Sequence, residues 1–98
     1  MTAIIKRPGQ PAFRREISNT LEALQELVGG RIEAVTFRSS IVMVVNADGK
    51  NLGLMKNFNH IYGSVRGTAV FVGADGEEFC SLSQAQENAV WRAMPYVV

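Results

Sequence analysis

The chain is poor in the residues on which most side-chain chemistry depends. It holds one cysteine, Cys80, and one histidine, His60. A single cysteine excludes an intrachain disulfide and cannot supply a zinc site by itself, which fits a reducing, cytosolic setting. A single imidazole leaves His60 as the sole base for a hydrolytic triad, so nucleophilic catalysis would rest on a Cys80–His60 pair. Cys80 follows apolar Phe79 at a strand end, where core packing is the simpler role for a small thiol. Metal ligation also fails on supply. Asp75, Glu77 and Glu78 gather at a turn but lack the ligand spacing of a calcium loop, and they read as a solvated hairpin tip. There is no Gly-rich phosphate loop of the P-loop or dinucleotide type. No cofactor is expected.

Neither acids nor bases are in marked excess. The net charge is +1, so no global basic field drives counterion release from nucleic acid, and any such binding must be local. No apolar run approaches the ~20 residues that span a bilayer. The N-terminus, Met1 to Pro8, places Lys6 and Arg7 behind a short apolar run, the reverse of a signal peptide. The expectation is a protein of the cytoplasm, neither exported nor embedded in a membrane.

What is present is the balance of an ordinary globular protein. The 98 residues are 47% hydrophobic and 19% charged, enough for one domain with one core. Ala3–Lys6 and Ala12–Ile17 read as a hairpin at the domain edge, turned by Pro8-Gly9. The first helix is expected to be capped by Asn19, with Glu22 returning the bond and Gly29-Gly30 as the stop. Leu21, Leu24, Leu27 and Val28 recur at helical spacing and lay this helix on a sheet. Arg31–Phe37 alternates, Arg38-Ser39-Ser40 turns the chain, and Ile41–Val45 reads as a central strand covered on both faces.

A short internal likeness follows. Val44-Val45-Asn46-Ala47-Asp48-Gly49 and Phe71-Val72-Gly73-Ala74-Asp75-Gly76 share two apolar residues and an Ala-Asp-Gly ending, which predicts two strands of one antiparallel sheet, each leaving through a type I′ turn. A second helix is expected over Gln84–Met94, with a Ser83–Gln86 capping box and Pro95 as the stop. Its Ala89, Val90, Ala93 and Met94 form a small-residue face for close approach, flanked by Trp91. The apolar tail Tyr96–Val98 either adds an edge strand or packs against another copy in a homo-oligomer. The fold class is thus α+β: a mostly antiparallel sheet of about five to six strands with two helices packed on it.

One segment departs from this pattern. No acid lies between Asp48 and Asp75, while Lys50, Lys56 and Arg66 supply positive charge. Its middle, Leu54 to Ser64, shows neither helical nor strand periodicity and concentrates asparagine with aromatics, as a binding loop on a rigid sheet would. Lys50, Lys56, His60 and Arg66 suit phosphate, Asn57 and Asn59 suit base edges, and Phe58 or Tyr62 suits stacking. The alternative is a solvated loop in which Phe58, Ile61 and Tyr62 anchor to the core. Lys56 and Arg66 are both expected to be exposed.

The string Asn19 to Gly30 with Ile32-Glu33, then Asn46-x-x-Gly49-Lys50, Leu52-Gly53-Leu54, Asn57, Gly67-Thr68, Val72-Gly73-x-Asp75-Gly76-Glu77-x-Phe79 and Ser81-Leu82-Ser83-x-x-Gln86, resembles the domain of unknown function 3846 family over nearly the whole chain. The family usually has an Asn-Arg pair after Leu-Pro. Here the chain reads Leu54-Met55-Lys56-Asn57-Phe58-Asn59-His60, leaving Lys56 or His60 in the arginine's place. The resemblance implies a small protein of phages and bacterial mobile elements and carries over no catalytic residue. The family carries no established activity, so the resemblance supplies context alone. With the shortage of catalytic groups, that context makes the first expectation a non-enzymatic binder acting in counter-defence, either masking a host defence protein such as a nuclease or sequestering a small nucleotide signal. The alternative is a nucleic-acid-binding accessory protein using Lys6, Arg7, Arg14 and Arg15 beside Lys50 and Arg66. An enzyme would need His60 and Cys80 to converge.

The helix pattern carries a test: replacing Leu24 with alanine should cost about 2–5 kcal/mol, measured by urea denaturation.

Overall fold

A computed structural model describes residues 1–60 and 63–94, with the side chain of His60 outside the description. The elements in chain order are β1 (Thr2–Lys6), β2 (Phe13–Glu16), α1 (Leu21–Val28), β3 (Ile32–Arg38), β4 (Ile41–Asn46), β5 (Lys56–His60), β6 (Gly63–Arg66), β7 (Ala69–Asp75), β8 (Glu78–Cys80) and α2 (Gln84–Ala93). The fold is α+β. Six strands form one antiparallel sheet in the order β2-β1-β7-β4-β3, with β8 paired to β7, and β5 pairs with β6 in a separate two-stranded sheet.

Both faces of the large sheet are buried, and the register shows how. Val35, Met43, Phe71 and Ile4 are cross-strand partners on one face. Ala34, Val44, Val70, Ile5 and Phe13 are partners one step along each strand, and so on the other face. The second face joins a cluster with Leu24 and Val28 of α1. The first joins Phe58 of β5, Val65 of β6, and Leu82, Val90 and Ala93 at α2. The apolar run Ile41–Val45 therefore lies between two packed layers, as its lack of alternation predicts. The two strands of the short repeat, β4 and β7, are direct antiparallel neighbours.

Several local expectations need correction. The cap of α1 is Thr20, whose side chain accepts from the Ala23 amide. Asn19 lies one residue earlier and donates to the Phe79 carbonyl, tying the helix entry to β8. The shift moves Glu22 to the second helical position, where it does not complete a capping box. Leu21 then falls off the packed face and is 53% exposed, while Leu24 is 2% exposed. Gly29 ends the helix in the left-handed region as expected, with φ 79°. The Ser83–Gln86 capping box of α2 forms in full. In the first hairpin only β2 is an edge strand, since β1 also pairs with β7. Pro95 and the Tyr96–Val98 tail lie outside the described residues.

The repeated Ala-Asp-Gly endings diverge. Asp75-Gly76 opens a tight β7–β8 hairpin with Asp75 opposite Glu78, but of its two central residues Gly76 alone has a positive φ, 63°, so the expected type I′ turn, which needs two, is not formed. After Asn46 the chain instead winds through helical turns, Leu52 N–H to Asp48 O at 2.8 Å and Leu54 N–H to Gly49 O at 2.9 Å. The type I′ expectation fails there because Asn46 Oδ1 accepts the Asp48 amide at 2.7 Å, a local bond that draws the backbone out of the hairpin path. Cys80 packs its half-buried thiol against Gly73 of β7. A Cβ at Gly73 would stand 2.9 Å from Cys80 Sγ and 2.9 Å from the Ser81 carbonyl. Gly73→Ala should therefore push β8 from β7 and lower stability by about 1–3 kcal/mol, with Cys80 labelled faster by a thiol reagent in the variant.

Candidate functional site

Segment 54–66, expected to be an irregular loop, is largely a β-hairpin. Its pairing runs Lys56↔Arg66, Phe58↔Val65, Asn59↔Ser64 and His60↔Gly63, with a bulge between Lys56 and Phe58. The bulge breaks the two-residue alternation, which is why no strand period shows in the sequence. It also turns two consecutive side chains inward: Asn57 is 5% exposed and Phe58 2%.

Those two residues fasten the hairpin to the large sheet. Phe58 stacks on Phe71, with ring centroids 6.3 Å apart and planes 16° from parallel. Asn57 Nδ2 donates to the Lys6 carbonyl at 2.7 Å and the Gly67 carbonyl at 2.9 Å. Asn57 Oδ1 accepts from the buried Lys6 ammonium at 3.1 Å, which also donates to the Arg7 carbonyl at 2.8 Å. One amide thus links β1, β5 and the connection between β6 and β7. Burial pulls the Lys6 pKa below its ordinary value. The unfolded chain then holds this proton more tightly, so Lys6 adds stability as pH rises toward its unfolded value.

A second buried asparagine shapes the neighbouring wall. Asn46 Nδ2 donates to the Val28 carbonyl at the end of α1, while its Oδ1 holds the Asp48 amide. The turn is clamped from outside by Arg31, which grips Asp48 in two bonds of 3.0 and 2.7 Å. That partner holds the Asp48 carboxyl below its usual range, so the clamp is intact at neutral pH and is lost in acid as Asp48 is protonated. Gly49 lets the turn approach β6, since a Cβ there would meet the Arg66 carbonyl at 3.0 Å.

Between this turn, β6 and the β3–β4 end of the sheet lies a cleft of about 430 Å³. Val35 and Val45 contribute apolar lining, Ser64 and Arg66 come from β6, Lys50 from the turn and Glu33 from β3. Lys50 and Glu33 are exposed and make no ion pair or side-chain hydrogen bond with any described residue. Arg66 is half-buried and donates one Nη to the Leu54 carbonyl at 3.3 Å. Its Nε is buried and makes no hydrogen bond to a described residue, which is uncommon for a buried donor.

The residues singled out from sequence are thus divided. Lys50 and Arg66 meet at the cleft. Lys56 is exposed and pairs across from Arg66. Asn59 is exposed and accepts from Ser64 Oγ at 3.2 Å. Asn57 and Phe58 face inward and hold structure, Phe58 as the anchor of the alternative reading. Arg66, expected to be exposed, is half-buried because the turn packs over it. Ile61 and Tyr62 lie outside the described residues, as does the His60 side chain, so the Cys80–His60 pair does too. Glu33, Val35 and Val45 were not singled out. Their sequence signal was that Glu33 shares a strand face with Val35. Among the described residues no three His, Cys, Asp or Glu side chains group to hold a metal, and no helix is long and apolar enough to cross a membrane.

The sequence profile described as Domain of unknown function (DUF3846) matches residues 1–94. The chain belongs to the DUF3846 family. No curated protein and no solved structure matches it. Among the residues that carry the family likeness, Asn46, Gly49, Asn57 and Gly73 hold backbone or allow close approach, whereas Lys50 faces the cleft. Replacing Asn57 with alanine would remove its bonds to the Lys6 and Gly67 carbonyls and leave the Lys6 ammonium with the Arg7 carbonyl alone. A loss of about 1–3 kcal/mol is expected, with amide exchange accelerating in β5 and β6 before the large sheet.

Proposed function

We propose that this DUF3846 member is a non-enzymatic binding protein whose cleft takes a small phosphate-bearing molecule. The observation that carries the reading is the meeting of Lys50, which makes no ion pair or side-chain hydrogen bond with a described residue, and Arg66 in one concave site. A guanidinium is suited to phosphate oxygens through its planar set of donors, and an ammonium adds charge without fixed geometry. A volume of about 430 Å³ falls within the ~300–1,000 Å³ range of small-molecule sites. The biological reading that follows is counter-defence in the host cytoplasm, as a phage or mobile-element protein that sequesters a nucleotide immune signal.

Nucleic-acid binding is favoured less. Of the four cations proposed on the first hairpin, Lys6 is buried against Asn57 and Arg14 is held by Glu87 at 2.8 Å and Glu16 at 3.5 Å. That leaves Arg7 and Arg15, too few for a continuous basic face. Masking a host protein would need a surface rather than a cleft.

Titration calorimetry with adenosine 5′-monophosphate tests the reading. Binding is expected in the micromolar to millimolar range, and Lys50→Glu should weaken it at least tenfold with the melting temperature within a few degrees of wild type. No heat from the wild-type protein, together with a host protein retained in pull-down, would overturn the cleft in favour of the masking role.

A further inference from the structure

The cleft is not uniformly basic. Glu33 lines it together with Lys50 and Arg66, yet among the described residues its carboxylate comes within 4 Å of no cationic nitrogen. The cleft therefore offers charges of both signs that are not paired with one another. A bare anion bound by Lys50 and Arg66 would share the cleft with an unneutralised carboxylate. A ligand that also carries hydrogen-bond donors would satisfy both.

Resting on the anion-binding reading, we infer that Glu33 is a specificity residue, and that the ligand is a ribonucleoside phosphate whose ribose hydroxyls donate to it. An ionised carboxylate only accepts hydrogen bonds, and its two oxygens match a pair of adjacent hydroxyls. Glu33 stands directly across from Val45 in the β3–β4 register. The carboxylate is thus held on a strand rather than a loop, beside the apolar lining of Val35 and Val45. That lining suits the sugar and base, while Arg66 and Lys50 take the phosphate. A site built to accept from a hydroxyl discriminates against the analogue that lacks it, because its acceptor is left unpaired.

Three probes on the full chain separate the parts: adenosine 5′-monophosphate, its 2′-deoxy analogue and inorganic phosphate. Wild type should bind the ribonucleotide about tenfold tighter than the deoxy form, and inorganic phosphate weakest. Glu33→Gln should erase the ribose preference and strengthen inorganic phosphate binding. Glu33 is exposed, so folding is not at stake, and equal melting temperatures check this. Equal binding of ribo and deoxy forms by wild type, with both weakened by Lys50→Glu, would overturn the role of Glu33 and leave the anion cleft standing. No binding of any probe would overturn both.

Discussion

The whole arrangement depends on covering both faces of one antiparallel sheet. β1, β4 and β7 are apolar on both sides, so neither face tolerates water. Helix α1 closes one face through Leu24 and Val28. Helix α2, ten residues and about 15 Å long at 1.5 Å per residue, cannot span the other face of a six-stranded sheet in which five strands run side by side ~4.8 Å apart. The β5–β6 hairpin shares the task through Phe58 and Val65. The cleft is the space that these covers leave at the β3–β4 end.

Because the hairpin is a cover rather than a strand of the main sheet, its position must be set by side chains. Asn57 does this with three hydrogen bonds to β1 and Gly67, and Phe58 does it by stacking on Phe71. Asn46 and the Arg31–Asp48 clamp do the same for the opposing turn. Of these polar seats only Asn46 lines the cleft, whereas Asn57 fastens the hairpin on the β1 side of the sheet. Arg66 pays part of the cost, its Nε trapped between turn and strand without an acceptor.

Much of the fold could be read from residue order. The helix over Leu21–Val28 follows from Leu24, Val28 and Gly29, the capping box of α2 from Ser83 and Gln86, and the doubly covered β4 from its unbroken apolar run. The errors share a cause. Asn19, Asp48-Gly49 and the asparagines of segment 54–66 are small polar residues whose local options are nearly equal in energy, so distant partners decide among them. Asn19 goes to the Phe79 carbonyl, Asn46 captures the turn before Asp48-Gly49 can form a hairpin, and Asn57 goes to Lys6 and Gly67. Within the candidate site, Lys50 and Arg66 were legible from the stretch without acids, whereas Glu33 lies outside that stretch and joins them only through strand pairing.

The amino-acid sequence by itself determined the α+β class, the apolar layers and the shortage of catalytic and metal-binding groups. These depend on composition and on periodicities of two and 3.6 residues, which act locally. Only the tertiary structure decided that Asn57 and Phe58 turn inward and that Glu33 faces the cleft of Lys50 and Arg66. The physical reason is that a bulge reverses which side chains a strand buries, and that pairing across a sheet joins residues whose separation along the chain carries no periodic signal.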